Sequence, residues 1–185
     1  MNKKIIAIVG DSVIDEDGPK SRAAYAAGRA LIKNGYRIQS GGRGGVMRAA
    51  FAGAKSISQG DSDTIAILPS FDIFEANEYA DIVIPTGLDF YRNGVVAAAS
   101  AVVAIGGGAG TLSEIAFAWS MHKLIIAFQN VEGWSRKLAG QRVDGRARYS
   151  GFEDKVFGVW SAEEMVEVLD KMLPLYNKSY GRIID

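Results

Sequence analysis

The nine residues Gly106–Glu114, GGGAGTLSE, bring together the residue types that an anion site needs. Glycine in the interior of an element costs stability, so a cluster marks backbone that turns sharply or lies close to something. A glycine turn feeding a helix exposes main-chain N–H groups at the positive end of the helix dipole, and these hold an anion without a lysine. Gly107, Gly108, Ala109, Gly110 and Thr111 are therefore candidate phosphate ligands, with the Thr111 hydroxyl as an added donor. Glu114 lies about one helical turn further on, within reach of a sugar attached to that phosphate. The same residues have a second reading. Thr111, Leu112, Ser113 and Glu114 have the spacing of a capping box, in which threonine caps the helix and glutamate bonds back to the cap N–H. A glutamate locked there is not free for chemistry.

Two other glycine loops accompany this one, Gly10-Asp11-Ser12 and Gly41-Gly42-Arg43-Gly44-Gly45. They add Gly42, Arg43, Gly44, Gly45, Asp11 and Ser12 as candidate ligand contacts. Arg43 reads equally as a solvated side chain, and Asp11 with Ser12 as a plain turn.

Familiar phosphate loops do not fit. A nucleoside-triphosphate loop ends in Gly-Lys-Ser/Thr, whereas Thr111 follows Gly110 directly. The dinucleotide fingerprint needs G-x-G-x-x-G after the first strand and an acid about 20 residues later; here Gly10 is followed by Asp-Ser-Val-Ile-Asp, and the second strand ends in Gln39-Ser40-Gly41. Pyridoxal-phosphate chemistry needs a Schiff-base lysine beside the cradle. No lysine lies between Lys55 and Lys123, so amino-acid decarboxylation is excluded.

These loops need elements to position them. Apolar runs of strand length recur at 4–10, 36–40, 63–68, 81–85, 101–106, 123–128 and 155–160. Their apolarity is continuous, as in strands buried on both faces. Helical spacing predicts helices over 19–34, 45–57, 90–99, 111–122 and 162–173, the first followed by Gly35 as a C-terminal cap. This alternation predicts an α/β fold, a modified Rossmann-like three-layer arrangement with a mostly parallel sheet of about seven strands. Ligands of such sheets bind beyond the carboxyl ends of the strands, where all three glycine loops should lie. Segment 129–154 breaks the pattern. With Arg136, Arg142, Arg146 and Arg148 it reads as a helical turn near 134–139, then a flap or a solvated or intersubunit stretch.

The 185 residues, 48% hydrophobic, suit a single domain over 1–185. Lys+Arg and Asp+Glu are equal at 21 each, so no net field favours nucleic acid or a membrane surface. The absence of cysteine excludes disulfides and thiolate chemistry. A single histidine, His122, argues against a histidine-rich metal centre; at a helix end beside Phe117–Trp119 it reads as structural. No apolar stretch reaches the roughly 18 residues of a membrane span, so a cytoplasmic location is expected.

Gly106–Glu114 resembles the P-G-G-x-G-T-x-x-E motif of the Lonely Guy family of phosphoribohydrolases, often labelled lysine decarboxylases. Ser40–Met47 resembles that family's G-G-x-x-G-x-M loop, and Arg92 occupies the place of its arginine upstream of the motif. Gly106 replaces the motif's proline, Asn93 the lysine that follows the arginine, and Ser113 a first glutamate. These departures resemble the superfamily's uncharacterised and molybdenum-cofactor-carrier branch. The resemblance implies a nucleotide-binding Rossmann-like protein that assembles as a homo-oligomer, dimer or tetramer. It implies hydrolysis of the N-glycosidic bond of a nucleoside 5′-monophosphate, with Glu114 and Arg92 catalytic and Arg92 orienting the substrate. The alternative it implies is a non-catalytic carrier or sensor for a nucleotide or a phosphorylated, molybdopterin-type ligand. Neither version requires a cofactor, and no residue is singled out as a metal ligand.

Overall fold

A computed structural model describes residues 3–58, 60 and 62–176. Seven strands form one sheet: β1 (Ile5–Gly10), β2 (Arg37–Ser40), β3 (Thr64–Leu68), β4 (Ile82–Pro85), β5 (Ala101–Ile105), β6 (Leu124–Phe128) and β7 (Phe157–Val159). Their order is β4-β3-β2-β1-β5-β6-β7, and every neighbouring pair is parallel. The expected α/β architecture is therefore present. Six helices connect and cover the sheet: α1 (Pro19–Lys33), α2 (Val46–Lys55), α3 (Asn93–Ala97), α4 (Ala109–Ser120), α5 (Trp134–Leu138) and α6 (Ala162–Tyr176). None of them, among the described residues, is long and apolar enough to cross a membrane.

Strand side chains alternate between faces, which divides the core in two. Ile6, Ile8, Val103 and Ile105 pack with Leu31, Phe51 and Leu169 beneath α1, α2 and α6. Ala7, Val9, Val102 and Ala104 pack with Val96, Ile115 and Trp119 beneath α3 and α4. Buried on both sides, these strands need the continuous apolarity their sequence shows. Helices α1 and α2 meet through glycine: a Cβ on Gly28 would stand 1.9 Å from the Ala50 carbonyl oxygen, and one on Gly53 would stand 2.0 Å from that of Tyr25. Pro19 opens α1, and Gly35, at φ +79°, follows its end.

The chain moves outward from β1 through β2 and β3 to β4, then returns to place β5 against the other side of β1. That reversal is the topological switch point, and it opens a crevice between the loops leaving β1 and β5.

Three local expectations change. Helix α4 starts at Ala109, two residues before the predicted Thr111. The predicted helix over 90–99 is a 3-10 turn, Asp89–Arg92, running into the short α3. In segment 129–154, α5 supplies the expected helical turn, but Arg148 is not solvated. Its side chain and that of Asp154 are each 3% exposed.

Candidate ligand-binding site

A cleft of about 340 Å³ opens at the switch point. Of the residues singled out in the sequence, Asp11, Ser12, Arg43, Arg92, Gly108, Gly110, Thr111 and Glu114 border it. Gly107, Ala109, Gly42, Gly44 and Gly45 do not line its wall; they or their neighbours shape the loops that do.

The loop after β5 is held from three sides. Gly106 N–H donates to the Ser135 hydroxyl at 2.8 Å, Trp134 N–H donates to the Gly107 carbonyl at 3.0 Å, and Gly107 N–H donates to Asp11 Oδ2 at 2.8 Å. Asp11 Oδ2 also takes the Lys20 ammonium at 2.6 Å. Asp11 thus fixes the loop across the switch point, and the amide of Gly107 is already in use. Gly107 itself has φ +97°, and a Cβ there would stand 2.4 Å from Thr111. Only glycine turns the chain here and lets the helix begin at once.

The consequence is an open helix terminus. Gly108 is the cap residue of α4 and makes no side-chain cap bond. Thr111 lies inside the first turn, so the capping-box reading is overturned and Glu114 is not tied back to the helix start. Among the described residues, the N–H groups of Gly108, Ala109, Gly110 and Thr111 have no acceptor. They converge on the place where an anion is most stabilised by the helix dipole.

The loop after β2 forms a second wall. Gly42, at φ +72°, donates its N–H to the Ser40 hydroxyl, and its carbonyl accepts from both the amide and the side chain of Asn77. Gly45, at φ +63°, packs on the Asp11 carbonyl, which accepts from Val46 N–H at 2.9 Å. Arg43 projects from this loop and lies 3.5 Å from Glu75.

Gly41 has a different task. A Cβ there would stand 2.5 Å from each terminal nitrogen of Arg92, so the bare backbone of Gly41 seats the guanidinium. Arg92 is 9% exposed, and its Nε is buried with no hydrogen-bond partner among the described residues. Its charge partner, Glu114, stands 3.6 Å away, beyond hydrogen-bond length. Burial lowers the Arg92 guanidinium from its usual range, with Glu114 opposing and Arg43 adding to the shift; it remains charged. Burial likewise pushes the Glu114 carboxyl up to about 7, against the pull of Arg92. Desolvation outweighs attraction in both because the pair is not joined by a hydrogen bond. Such a pair is incomplete without a further group.

This has a measurable consequence. Glu114 binds its proton more tightly folded than unfolded, so the folded state holds more protons between pH ~4.5 and ~7, and stability falls as pH rises through that window. Above it the loss is complete. In Glu114→Gln the contribution is absent, so the stability difference between variant and wild type should move in the variant's favour by about 3 kcal/mol from pH 4.5 to 8. Urea unfolding of both proteins across that range checks this.

Seven bordering residues are not among the candidates read from the sequence: Val9, Gly10, Met47, Pro69, Asp89, Phe90 and Asn93. Met47 belongs to the glycine-loop motif of the sequence, and Phe90 opens the predicted helix over 90–99. The loops after β3 and β4 lie on the same carboxyl edge as the glycine loops, and that position is the signal that could have pointed to Pro69 and Asp89.

The all-parallel sheet with its cleft at the switch point defines a Rossmann-like α/β protein. A model of the SLOG cluster4 family matches residues 3–154, and the chain belongs to that family. An uncharacterised protein of Archaeoglobus fulgidus is 37% identical over 125 residues, which are 67% of this chain and 79% of that protein. The structure is similar to the molybdenum cofactor binding protein of the phototrophic bacterium Rippkaea orientalis, at 28% identity and a TM-score of 0.73 over 94% of this chain and 99% of that one. It is also similar to the molybdenum cofactor carrier protein of Chlamydomonas reinhardtii, at 25% identity and a TM-score of 0.74 over 93% and 99% of the two chains.

Proposed function

We propose that this protein binds a small phosphorylated heterocyclic ligand, a nucleotide or a pterin of the molybdenum-cofactor type, and holds it without turning it over. The observation that carries this is Arg92: among the described residues, its buried guanidinium has no hydrogen bond of its own, and it faces the same cleft as four amides without acceptors. A phosphate supplies what both lack. Its oxygens accept from the amides of Gly108–Thr111 and from the Thr111 hydroxyl, while Arg92 donates through charge-assisted bonds. The structural relatives named for binding or carrying molybdenum cofactor support the same ligand class.

Holding is favoured over turnover by two positions. Asn93 donates to the Ser113 hydroxyl at 2.9 Å, and Ser113 donates to the Gly110 carbonyl at 2.7 Å. Each satisfies the other where the Lonely Guy enzymes carry a lysine and a first glutamate. This leaves Glu114 alone to serve an anomeric carbon.

Glu114 also supports a second reading. With its pKa pushed up to about 7 it is half-ionised at neutral pH and suited to general acid–base work. In that case its carboxylate takes a proton from water, the water oxygen bonds to the anomeric carbon, and the C–N bonding pair leaves with the base, which is then protonated.

One experiment separates the readings. The protein is titrated with AMP, GMP and neopterin monophosphate by calorimetry, and the mixtures are assayed for free base. Saturable binding without base release is the expected result. Release of base that disappears in Glu114→Ala would establish hydrolysis instead, and failure to bind any of the three would remove the proposal.

A further inference from the structure

The cleft is also bordered by a carboxylate that has no partner among the described residues. Asp89 borders the cleft, and among the described residues its side chain accepts no hydrogen bond and enters no ion pair. Its backbone is held at φ +48°, in the left-handed region that non-glycine residues rarely adopt. The N–H of Asp89 donates to the Pro69 carbonyl at 2.9 Å, which fastens this turn to the loop after β3. Asp89 and Arg92, at the two ends of the turn Asp89–Arg92, both border the cleft. Phe90 lies between them in sequence, 76% exposed and also at the cleft. A carboxylate without a partner among the described residues and an exposed ring thus share one edge of the cleft.

Sheet order gives the spacing. The phosphate cradle follows β5, and the Asp89 turn is fastened above β3, three strands away. At about 4.8 Å per strand this separation is roughly 14 Å, comparable to an extended nucleoside monophosphate. A ligand anchored by phosphate at Gly108–Thr111 therefore brings its heterocycle to Asp89 and Phe90.

A carboxylate has two acceptor oxygens and no donor. Its complement is a ring edge with two adjacent donors, an imino N–H beside an amino group. Heterocycles of the 2-amino-4-oxo type, guanine and pterin, carry that edge. Adenine places its amino group next to a ring nitrogen whose lone pair faces the carboxylate. We propose that Asp89 reads the amino–imino edge of a 2-amino-4-oxo heterocycle lying against Phe90, so that the cleft selects guanine or pterin monophosphates over adenine ones. The inference rests on the phosphate-binding reading and deepens it.

The test is calorimetric titration of the full chain with GMP, neopterin monophosphate and AMP, in the wild type and in Asp89→Asn. Asparagine tolerates the left-handed backbone and replaces one acceptor oxygen with a donor. Because Asp89 is exposed, its discrimination is that of a solvated charged hydrogen bond: GMP or neopterin monophosphate should bind the wild type about 10-fold more tightly than AMP. The tighter of the two names the ligand source. In Asp89→Asn the side-chain amide offers one acceptor and one donor, which suits the adenine edge and not the amino–imino edge, so the preference for GMP or neopterin monophosphate should vanish or reverse. Equal binding of all three by the wild type, or a preference that survives in Asp89→Asn, overturns the inference and leaves the phosphate reading intact. Failure of all three to bind overturns both.

Discussion

Replacing Arg148 by alanine is expected to lower the unfolding free energy by about 3–5 kcal/mol. Its Nε and one terminal nitrogen grip Asp154 at 2.6 and 2.7 Å, and the guanidinium lies 3.6 Å over the Trp119 ring. It also donates to the carbonyls of Trp119 at 2.9 Å and Lys123 at 3.2 Å, at the end of α4. The Tyr176 hydroxyl from α6 donates to the same Asp154 carboxylate, and its own pKa is raised, by burial first and then by Asp154. One buried cation thus joins an irregular segment to two helices. Removing it leaves the Asp154 carboxyl in a dry site without its main partner, and that uncompensated group is the source of the loss. Arg148→Met combined with Asp154→Leu takes out both charges and should recover most of the stability, since well-packed apolar replacements of buried pairs are often neutral. The cluster sits at the opposite sheet edge from the cleft, so folded Arg148→Ala should keep its ligand affinity. Denaturant unfolding of the three proteins reads the effect; a loss below about 1 kcal/mol in Arg148→Ala would show that the pair is not the clasp the geometry describes.

Different parts of this chain were legible in the sequence to different degrees, for physical reasons. Strands buried on two faces must be apolar throughout, so β1, β3, β5 and β6 stand out as Ile- and Val-rich runs. The turn after β5 was legible because its glycines have few other uses. Its helix start was not, because Thr111 and Glu114 satisfy the spacing of a capping box equally well. The deciding fact is the φ of Gly107, which a sequence does not state. Arg148 was unreadable for another reason: its partners Trp119 and Lys123 lie 29 and 25 residues away, and no local pattern distinguishes a buried arginine from a solvated one. Asp89 escaped because a 3-10 turn has no amphipathic period to follow. Arg92 was legible only through its spacing from the glycine motif, and nothing local showed that Gly41 would form its seat.

Arg92→Met is expected to weaken binding of GMP or neopterin monophosphate by about 100-fold or more, the cost of truncating one partner of a buried charged contact. The folded protein should tolerate the change. Methionine fills much of the same space, and a Glu114 relieved of its cation becomes protonated at neutral pH, since Arg92 is the one influence holding its pKa down. The loss should therefore appear as affinity and not as unfolding. Arg92→Lys keeps the charge but not the planar two-pronged donor, and should fall between wild type and Arg92→Met. Gly41→Ala tests position without touching charge. Its methyl group would meet both terminal nitrogens of Arg92 at 2.5 Å, so the guanidinium must leave its seat and affinity should drop although every charged residue remains. Calorimetric titration of all four proteins at one salt concentration separates these cases. If Arg92→Met binds as the wild type does, the amides of Gly108–Thr111 hold the phosphate alone, and the buried guanidinium belongs to Glu114 and not to the ligand.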